Sequence, residues 1–184
     1  MSISLVKGQK ISLDKSASGP LRKVVMGLGW DITPGAGQVD LDASCATFDA
    51  DRNPVDVVYF AQRRNPSGSV QHSGDNLTGA GEGDDEQIVV ELDKVDARIQ
   101  AIVFTVTSFR GQQFTLVKNA FVRAVNGTDG KEICRYNLSG GAASTGMVMA
   151  RVYRHNGEWK IAALGEPVDG KTVKDLLPHL PKFL

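Results

Sequence analysis

The sequence has few cysteines and histidines, no long apolar run and no excess of charge of either sign. Its two cysteines and three histidines do not have the spacing of a zinc site. No stretch approaches the roughly 20 apolar residues that span a bilayer, so we expect no direct membrane insertion. The chain has 21 basic and 21 acidic residues, and this balance excludes a protein that grips nucleic acid mainly through phosphates.

The sequence also lacks the charged segment and apolar run of a signal peptide. Cys45 and Cys134 both lie in apolar, strand-like runs. Buried free thiols suit a reducing compartment, and we expect a cytoplasmic protein.

Short β-branched runs, punctuated by twenty glycines, predict an all-β chain. The predicted strands cover residues 3–6, 10–13, 21–30, 38–48, 55–60, 69–73, 87–92, 99–109, 119–126, 132–138, 146–154 and 158–164. Neither a linker nor an internal repeat interrupts them. We therefore predict one domain over residues 1–184, built as a two-sheet β-sandwich.

Turn residues and one helical pattern complete this prediction. The sequence NGTDG (126–130) and the Asn-Gly pair in HNGE (155–158) are typical of hairpin connections. Near the C-terminus, apolar residues recur at helical spacing, and Pro178 is expected to end or kink the helix. These apolar residues are Val173, Leu176, Leu177 and Leu180. The fold class is thus all-β with a short C-terminal helix.

The most unusual segment is SGDNLTGAGEGDDE (73–86), which holds five acidic residues and four glycines without a lysine or arginine. A phosphate-binding loop is a poor interpretation, because such loops carry a lysine or begin a helix. Calcium fits better, since it takes oxygens from carboxylates, amides and backbone carbonyls. The residues alone leave magnesium and a solvated loop without ligand open. The candidate ligands in this segment are Asp75, Asn76, Glu82, Asp84, Asp85 and Glu86.

A second group of carboxylates precedes this segment. Asp40 and Asp42 share one face of a predicted strand, and Asp31 ends the preceding strand pattern. Like charges about 7 Å apart are unfavourable unless a cation compensates them. We therefore add these three residues to the candidate metal ligands, and a solvated outer face is the alternative.

Catalytic residues are not apparent. His72 lies beside Ser73 and Asp75, but neighbours on one extended strand cannot converge as a triad. His155 falls in the Asn-Gly turn and His179 in the terminal helix. There is no nucleophile elbow. We therefore expect a protein that is not an enzyme and has no catalytic residues.

Several motifs together resemble the TerD family of tellurium-resistance and general-stress proteins. They are ISLVKGQKISL (3–13), GLGWD (27–31), DLDAS (40–44), GDNLTGAGEGDDEQI (74–88), KNAFVRAVN (118–126) and YRHNGEWKIAALG (153–165). They occur in order over nearly the whole chain. The acidic segment is the longest and most specific of them.

The resemblance implies a cytoplasmic β-sandwich that binds calcium, with two ions expected, through the nine residues named above. It implies a stress-response protein associated with tellurite resistance, and other tellurium-resistance family proteins as partners. The leading hypothesis is a non-catalytic, calcium-dependent binding or assembly module. The alternative is a small-molecule binder that uses calcium to hold a cyclic nucleotide or an oxyanion.

Overall fold

A computed structural model describes residues 2–16, 21–32, 40–74, 83–138 and 143–184. In chain order, the strands in this part of the chain are β1 (Ile3–Ser4), β2 (Lys10–Ser12), β3 (Lys23–Ile32), β4 (Leu41–Phe48), β5 (Pro54–Val58), β6 (Val70–His72), β7 (Glu86–Glu91), β8 (Ala101–Ser108), β9 (Val117–Asn126), β10 (Glu132–Asn137), β11 (Gly146–His155) and β12 (Glu158–Val168). Each of them overlaps one of the predicted strands, so the all-β prediction is confirmed.

The strands form two six-stranded sheets, as a sandwich requires. The first sheet has the order β1-β10-β9-β3-β7-β6, and the second has the order β2-β12-β11-β8-β4-β5. Apart from the parallel β1–β10 pair, neighbouring strands run antiparallel. Leu28 of β3 pairs with Glu86 of β7, so the end of β3 lies beside the start of β7.

In the described part of the chain, two short α-helices accompany the sheets, α1 (Leu13–Ser16) and α2 (Val173–Leu176). The predicted C-terminal helix is confirmed. It ends as an α-helix before Pro178 and continues as a 3-10 helix over Leu177–Phe183. Both predicted hairpins are present as well. Asn156 and Gly157 have φ angles of 52° and 77°, which the primed turns of tight hairpins require.

The main core lies between the sheets, and a smaller cluster lies outside the second sheet. Alternate residues of β4, including Leu41 and Cys45, face the main core. On the opposite face, Ala46 and Phe48 pack with Leu176 and Leu180 of the C-terminal segment. Both faces of β4 are therefore buried, including the part that carries Asp42.

Candidate functional site

Four candidate ligands converge where β3 ends and β7 begins. Asp31 lies near the end of β3, Asp84 and Asp85 directly precede β7, and Glu86 is the first residue of β7. Because β3 and β7 are hydrogen-bonded neighbours, these acidic residues share one end of the sandwich. Asp75, Asn76 and Glu82 belong to 75–82, outside the residues that the structure describes.

The glycines of the GLGWD motif make room for the end of the acidic segment. A Cβ atom built at Gly27 would collide with the carboxyl group of Asp84. One built at Gly29 would collide with the backbone oxygen of Gly83 and the ring of Phe121. The close approach of Gly83 and Asp84 to β3 therefore requires glycine at both positions.

Asp84 is held on the first sheet by two side chains. Arg123 of β9 donates from Nε to Asp84 Oδ1 at 2.7 Å, and Gln87 donates from Nε2 to Oδ2 at 3.1 Å. The Asp84 side chain is only 1% exposed. Arg123 also pairs with Glu132 at 3.2 Å. Asp84 thus fastens the acidic segment to an ion-pair network on the sheet.

Glu86 points between the two sheets and caps an edge of β4. Its Oε2 accepts from the backbone N–H of Ala43 at 2.6 Å and lies 3.3 Å from His72 Nε2. The side chains of His72 and Glu86 are both 0% exposed. The last pair between β4 and β5 is Cys45–Val58, so Ala43 lies beyond the end of β5. The Glu86 carboxyl group supplies the acceptor that a partner strand supplies elsewhere.

The hydrogen bonds of His72 fix its ring orientation. Its Nδ1 accepts from the Gly74 N–H at 3.1 Å, and its Nε2 lies 3.1 Å from the Ala43 oxygen. Since a backbone N–H can only donate, the ring proton is on Nε2, facing Ala43 and Glu86. Both nitrogens are therefore used inside the fold.

Asp85 and Asp31 are the more accessible pair of the group. The Trp30 N–H donates to Asp85 Oδ2 at 2.9 Å. Burial raises the pKa of Asp85 above its ordinary value. The bond from Trp30 lowers the pKa in part, and the carboxylates of Asp31, Asp84 and Glu86 raise it again. Asp31 is exposed and accepts from Asn119 Nδ2 at 2.7 Å. This end of the sandwich is an electrostatically unfavourable place for another negative charge.

Asp40 and Asp42 lie on the outer face of the second sheet, as the strand alternation predicts. They are nonetheless each only 4% exposed, so the alternative of a solvated outer face is wrong. Arg110 Nε lies 3.9 Å from Asp40 Oδ2. Asp42 pairs in register with Thr107 of β8, whose buried hydroxyl has no hydrogen-bond partner among the described residues.

The other side chains that could react or bind a metal, two cysteines and two histidines, are either buried or exposed to solvent. Cys45 and Cys134 are free and buried, and burial raises the pKa of each thiol to about 12. Because the thiolate is the reactive form, neither thiol is poised for chemistry. His155 and His179 are exposed. Over the described residues, no three His, Cys, Asp or Glu side chains form a ready metal site.

Sequence reasoning missed the groups that hold the acidic segment in place. Asn119 and Arg123 both belong to the predicted strand over 119–126, but nothing in their spacing marks them as partners of Asp31 and Asp84. The signal available was indirect: two glycines alternate with apolar residues in GLGWD (27–31). A strand face without side chains indicates a close approach by another segment.

Comparisons with known proteins agree with the fold and with the motifs. A profile of the TerD domain matches residues 1–179. The chain is 42% identical to tellurium resistance protein TerZ of Serratia marcescens, over 95% of this chain and 94% of that protein. It is 46% identical to general stress protein 16U of Bacillus subtilis, over 92% and 93%.

A solved structure described as a homologue of telluride resistance protein (TerD), from Streptomyces coelicolor A3(2), superposes with a TM-score of 0.73 at 27% identity. The match covers 85% of this chain and 95% of that one.

Within the described residues, no helix has the length and apolar character needed to cross a membrane. Serratia marcescens has relatives named TerZ, TerD and TerX, so one organism can hold several members. The chain belongs to the TerD domain family of tellurium-resistance and general-stress proteins.

Proposed function

We propose that the protein binds calcium at the end of the sandwich where β3, β4 and β7 meet, and that it acts as a non-catalytic, calcium-dependent binding or assembly module. It works in the cytoplasm during tellurite and other chemical stress, alongside other members of its family. The observation that carries the proposal is the convergence of Asp31, Asp84, Asp85 and Glu86 on one end of the sandwich.

The hydrogen bonds divide these residues into ligands and supports. Asp84 is occupied by Arg123 and Gln87, and Glu86 by Ala43 and His72. We assign both a supporting role, in which they hold the backbone on either side of Asp85. Asp85 and Asp31, near the end of β3, are then the ligands, together with Asp75, Asn76 and Glu82 from the acidic segment.

Asp40 and Asp42 are assigned to a second ion. Two buried carboxylates on one strand face repel each other, and a cation bound between them relieves this repulsion. Arg110 Nε contributes positive charge near Asp40, at 3.9 Å from its Oδ2. The buried Thr107 hydroxyl beside Asp42 is an oxygen that a hard cation accepts as a ligand. This donor set consists of oxygens alone, which suits calcium.

The chemistry of the donors favours calcium over zinc. Zinc sites in proteins use histidine or cysteine ligands, whereas both nitrogens of His72 are engaged within the fold. The two thiols are buried with raised pKa values. Magnesium also prefers oxygen but demands a small octahedral shell, which irregular loops provide less readily.

Asp85→Asn should stabilise the metal-free protein and weaken calcium binding at the same time. The raised pKa of Asp85 means that its ionised form is disfavoured in the fold. Its ionisation therefore costs stability as the pH rises through the folded-state pKa, and at neutral pH an uncharged amide removes that cost. The amide oxygen can still accept the bond from Trp30, but loss of a charged ligand should reduce calcium affinity at least tenfold, measured by isothermal titration.

Asp93→Asn is the matched control, because Asp93 is exposed in the connection between β7 and β8. It should leave both the melting temperature and the calcium affinity unchanged. Unaltered calcium affinity in Asp85→Asn would remove Asp85 from the ligand set. A fall in metal-free stability would contradict the electrostatic account of this end of the sandwich.

A further inference from the structure

A surface of aromatic and basic side chains lies beside the start of β4. Of its residues, only Arg110 contacts a proposed calcium ligand that the structure describes, Asp40. The Tyr59 and Phe60 rings meet edge to face at 5.2 Å between centroids, and Phe60 meets Phe109 in the same way at 5.6 Å. Arg63 and Lys174 contact Phe60 and Tyr59, and Arg110 follows Phe109 in the sequence. We call the set the aromatic–basic patch: Tyr59, Phe60, Arg63, Phe109, Arg110 and Lys174.

The aromatic part of the patch is unusually accessible. Phe109 is 46% exposed, one of three large apolar side chains that stand out of the described surface. Tyr59 and Phe60 are half-buried beneath it. Aromatic residues and arginine are enriched at protein–protein interfaces and dominate their binding energy. The rings therefore form an apolar platform that a partner side chain can cover.

Two of the three cations in the patch, Arg63 and Lys174, are available to a partner. Arg63 donates from Nε to the backbone oxygen of Phe60 at 3.2 Å, and Lys174 lies 5.4 Å from the centroid of Tyr59. Both side chains are exposed. Neither forms an ion pair with a residue that the structure describes. An opposite charge on a partner would find both cations available.

We propose that the aromatic–basic patch docks an acidic segment of a partner protein that also carries an aromatic side chain. The carboxylates of the segment pair with Arg63 and Lys174, while its aromatic residue stacks on Phe109. The charge complementarity supports this occupant. Three cations are few for nucleic acid, whose binding typically neutralises about 6–10 phosphates. A two-fold dimer through the patch would set its cations against themselves.

The test uses a fluorescein-labelled peptide of six glutamates and two phenylalanines, titrated with the full chain and followed by fluorescence anisotropy. The variants are Phe109→Ser and the double variant Arg63→Glu/Lys174→Glu. The matched control is Arg22→Glu/Lys94→Glu. Arg22 and Lys94 are also exposed, and the Leu92 N–H donates to the Arg22 oxygen at 2.7 Å. Arg22 precedes β3 and Lys94 follows β7, at the end of the first sheet where Lys23 pairs with Glu91, whereas Phe109 follows β8 of the second sheet.

We expect saturable binding that the double variant weakens at least tenfold and Phe109→Ser about fivefold, with the control within twofold of the unmodified chain. Melting curves verify that each variant is folded. The titration is run in calcium and in chelator, so its outcome is independent of the calcium proposal. The absence of binding in both conditions would overturn the proposal, as would equal losses in the control.

Two further outcomes would assign the patch to another occupant and overturn the proposal as stated. One is tighter binding of a single-stranded oligothymidine of twelve nucleotides than of the peptide. The other is a concentration-dependent dimer, detected by analytical ultracentrifugation, that Arg63→Glu/Lys174→Glu abolishes. A monomer that prefers the peptide supports the docking of an acidic partner segment.

Discussion

Replacing Glu86 with alanine should lower the free energy of unfolding by about 2–4 kcal/mol, because a buried donor that loses its acceptor costs about 1–3 kcal/mol and the cavity left by the side chain adds to that. The Glu86 carboxyl group is inaccessible to solvent, and its Oε2 contacts the Ala43 N–H at 2.6 Å and His72 Nε2 at 3.3 Å. The alanine variant leaves both of these groups buried without that acceptor. It also opens a cavity between the start of β7 and the edge of β4. Denaturant unfolding monitored by tryptophan fluorescence measures the effect.

Glu91→Ala is the matched control at the other end of β7. Glu91 pairs with Lys23 at 3.8 Å, and its side chain is 24% exposed, so its removal should cost less than about 1 kcal/mol. Glu86→Gln keeps an acceptor oxygen and should fall between the two alanine variants. Equal stability losses in Glu86→Ala and Glu91→Ala would show that Glu86 does not join the two sheets as described.

Calcium should raise the melting temperature by about 5–11 °C when its free concentration is a hundred times the dissociation constant. A ligand that binds only the folded state adds RT ln(1 + [L]/Kd), which is about 2.7 kcal/mol under this condition. For a chain of this size, each 1 kcal/mol shifts the midpoint by about 2–4 °C. The physical source of this stabilisation is relief of the repulsion among Asp31, Asp84, Asp85 and Glu86. Burial raises the pKa of Asp85, and the neighbouring carboxylates add to that increase.

Differential scanning calorimetry in calcium, in magnesium and in chelator makes this comparison. Magnesium at the same concentration should shift the midpoint less, because its octahedral shell fits an irregular loop poorly. An unchanged midpoint in calcium contradicts the calcium proposal. A shift that is equal for the two metals contradicts only the preference for calcium.

The strands could be predicted from the sequence because each depends on local information. Alternating polarity sets the faces of β4, and Asn156 and Gly157 supply the positive φ angles of the β11–β12 hairpin. The helix α1 was not predicted. It has only one turn, too short for a helical period to appear, and Asp14 is held there by a bond from the Trp159 N–H at 2.8 Å.

The carboxylates of the candidate site could be predicted from the sequence, but their separate roles as supports and as proposed ligands could not. The roles of Asp84 and Glu86 depend on Arg123 and Ala43, which lie 39 and 43 residues away in the sequence. Such long-range pairs leave no local pattern. The burial of Asp40 and Asp42 was missed for the same reason, because alternation along β4 gives the face of a side chain and not what covers that face.

Native mass spectrometry measures how many calcium ions each chain binds. Two ions are expected on the unmodified protein at saturating calcium. One ion is expected on the double variant Asp40→Asn/Asp42→Asn, because the acidic segment keeps its own ion. Two ions on the double variant would remove Asp40 and Asp42 from the ligand set. A chain that carries no calcium at saturation would contradict the proposed function itself.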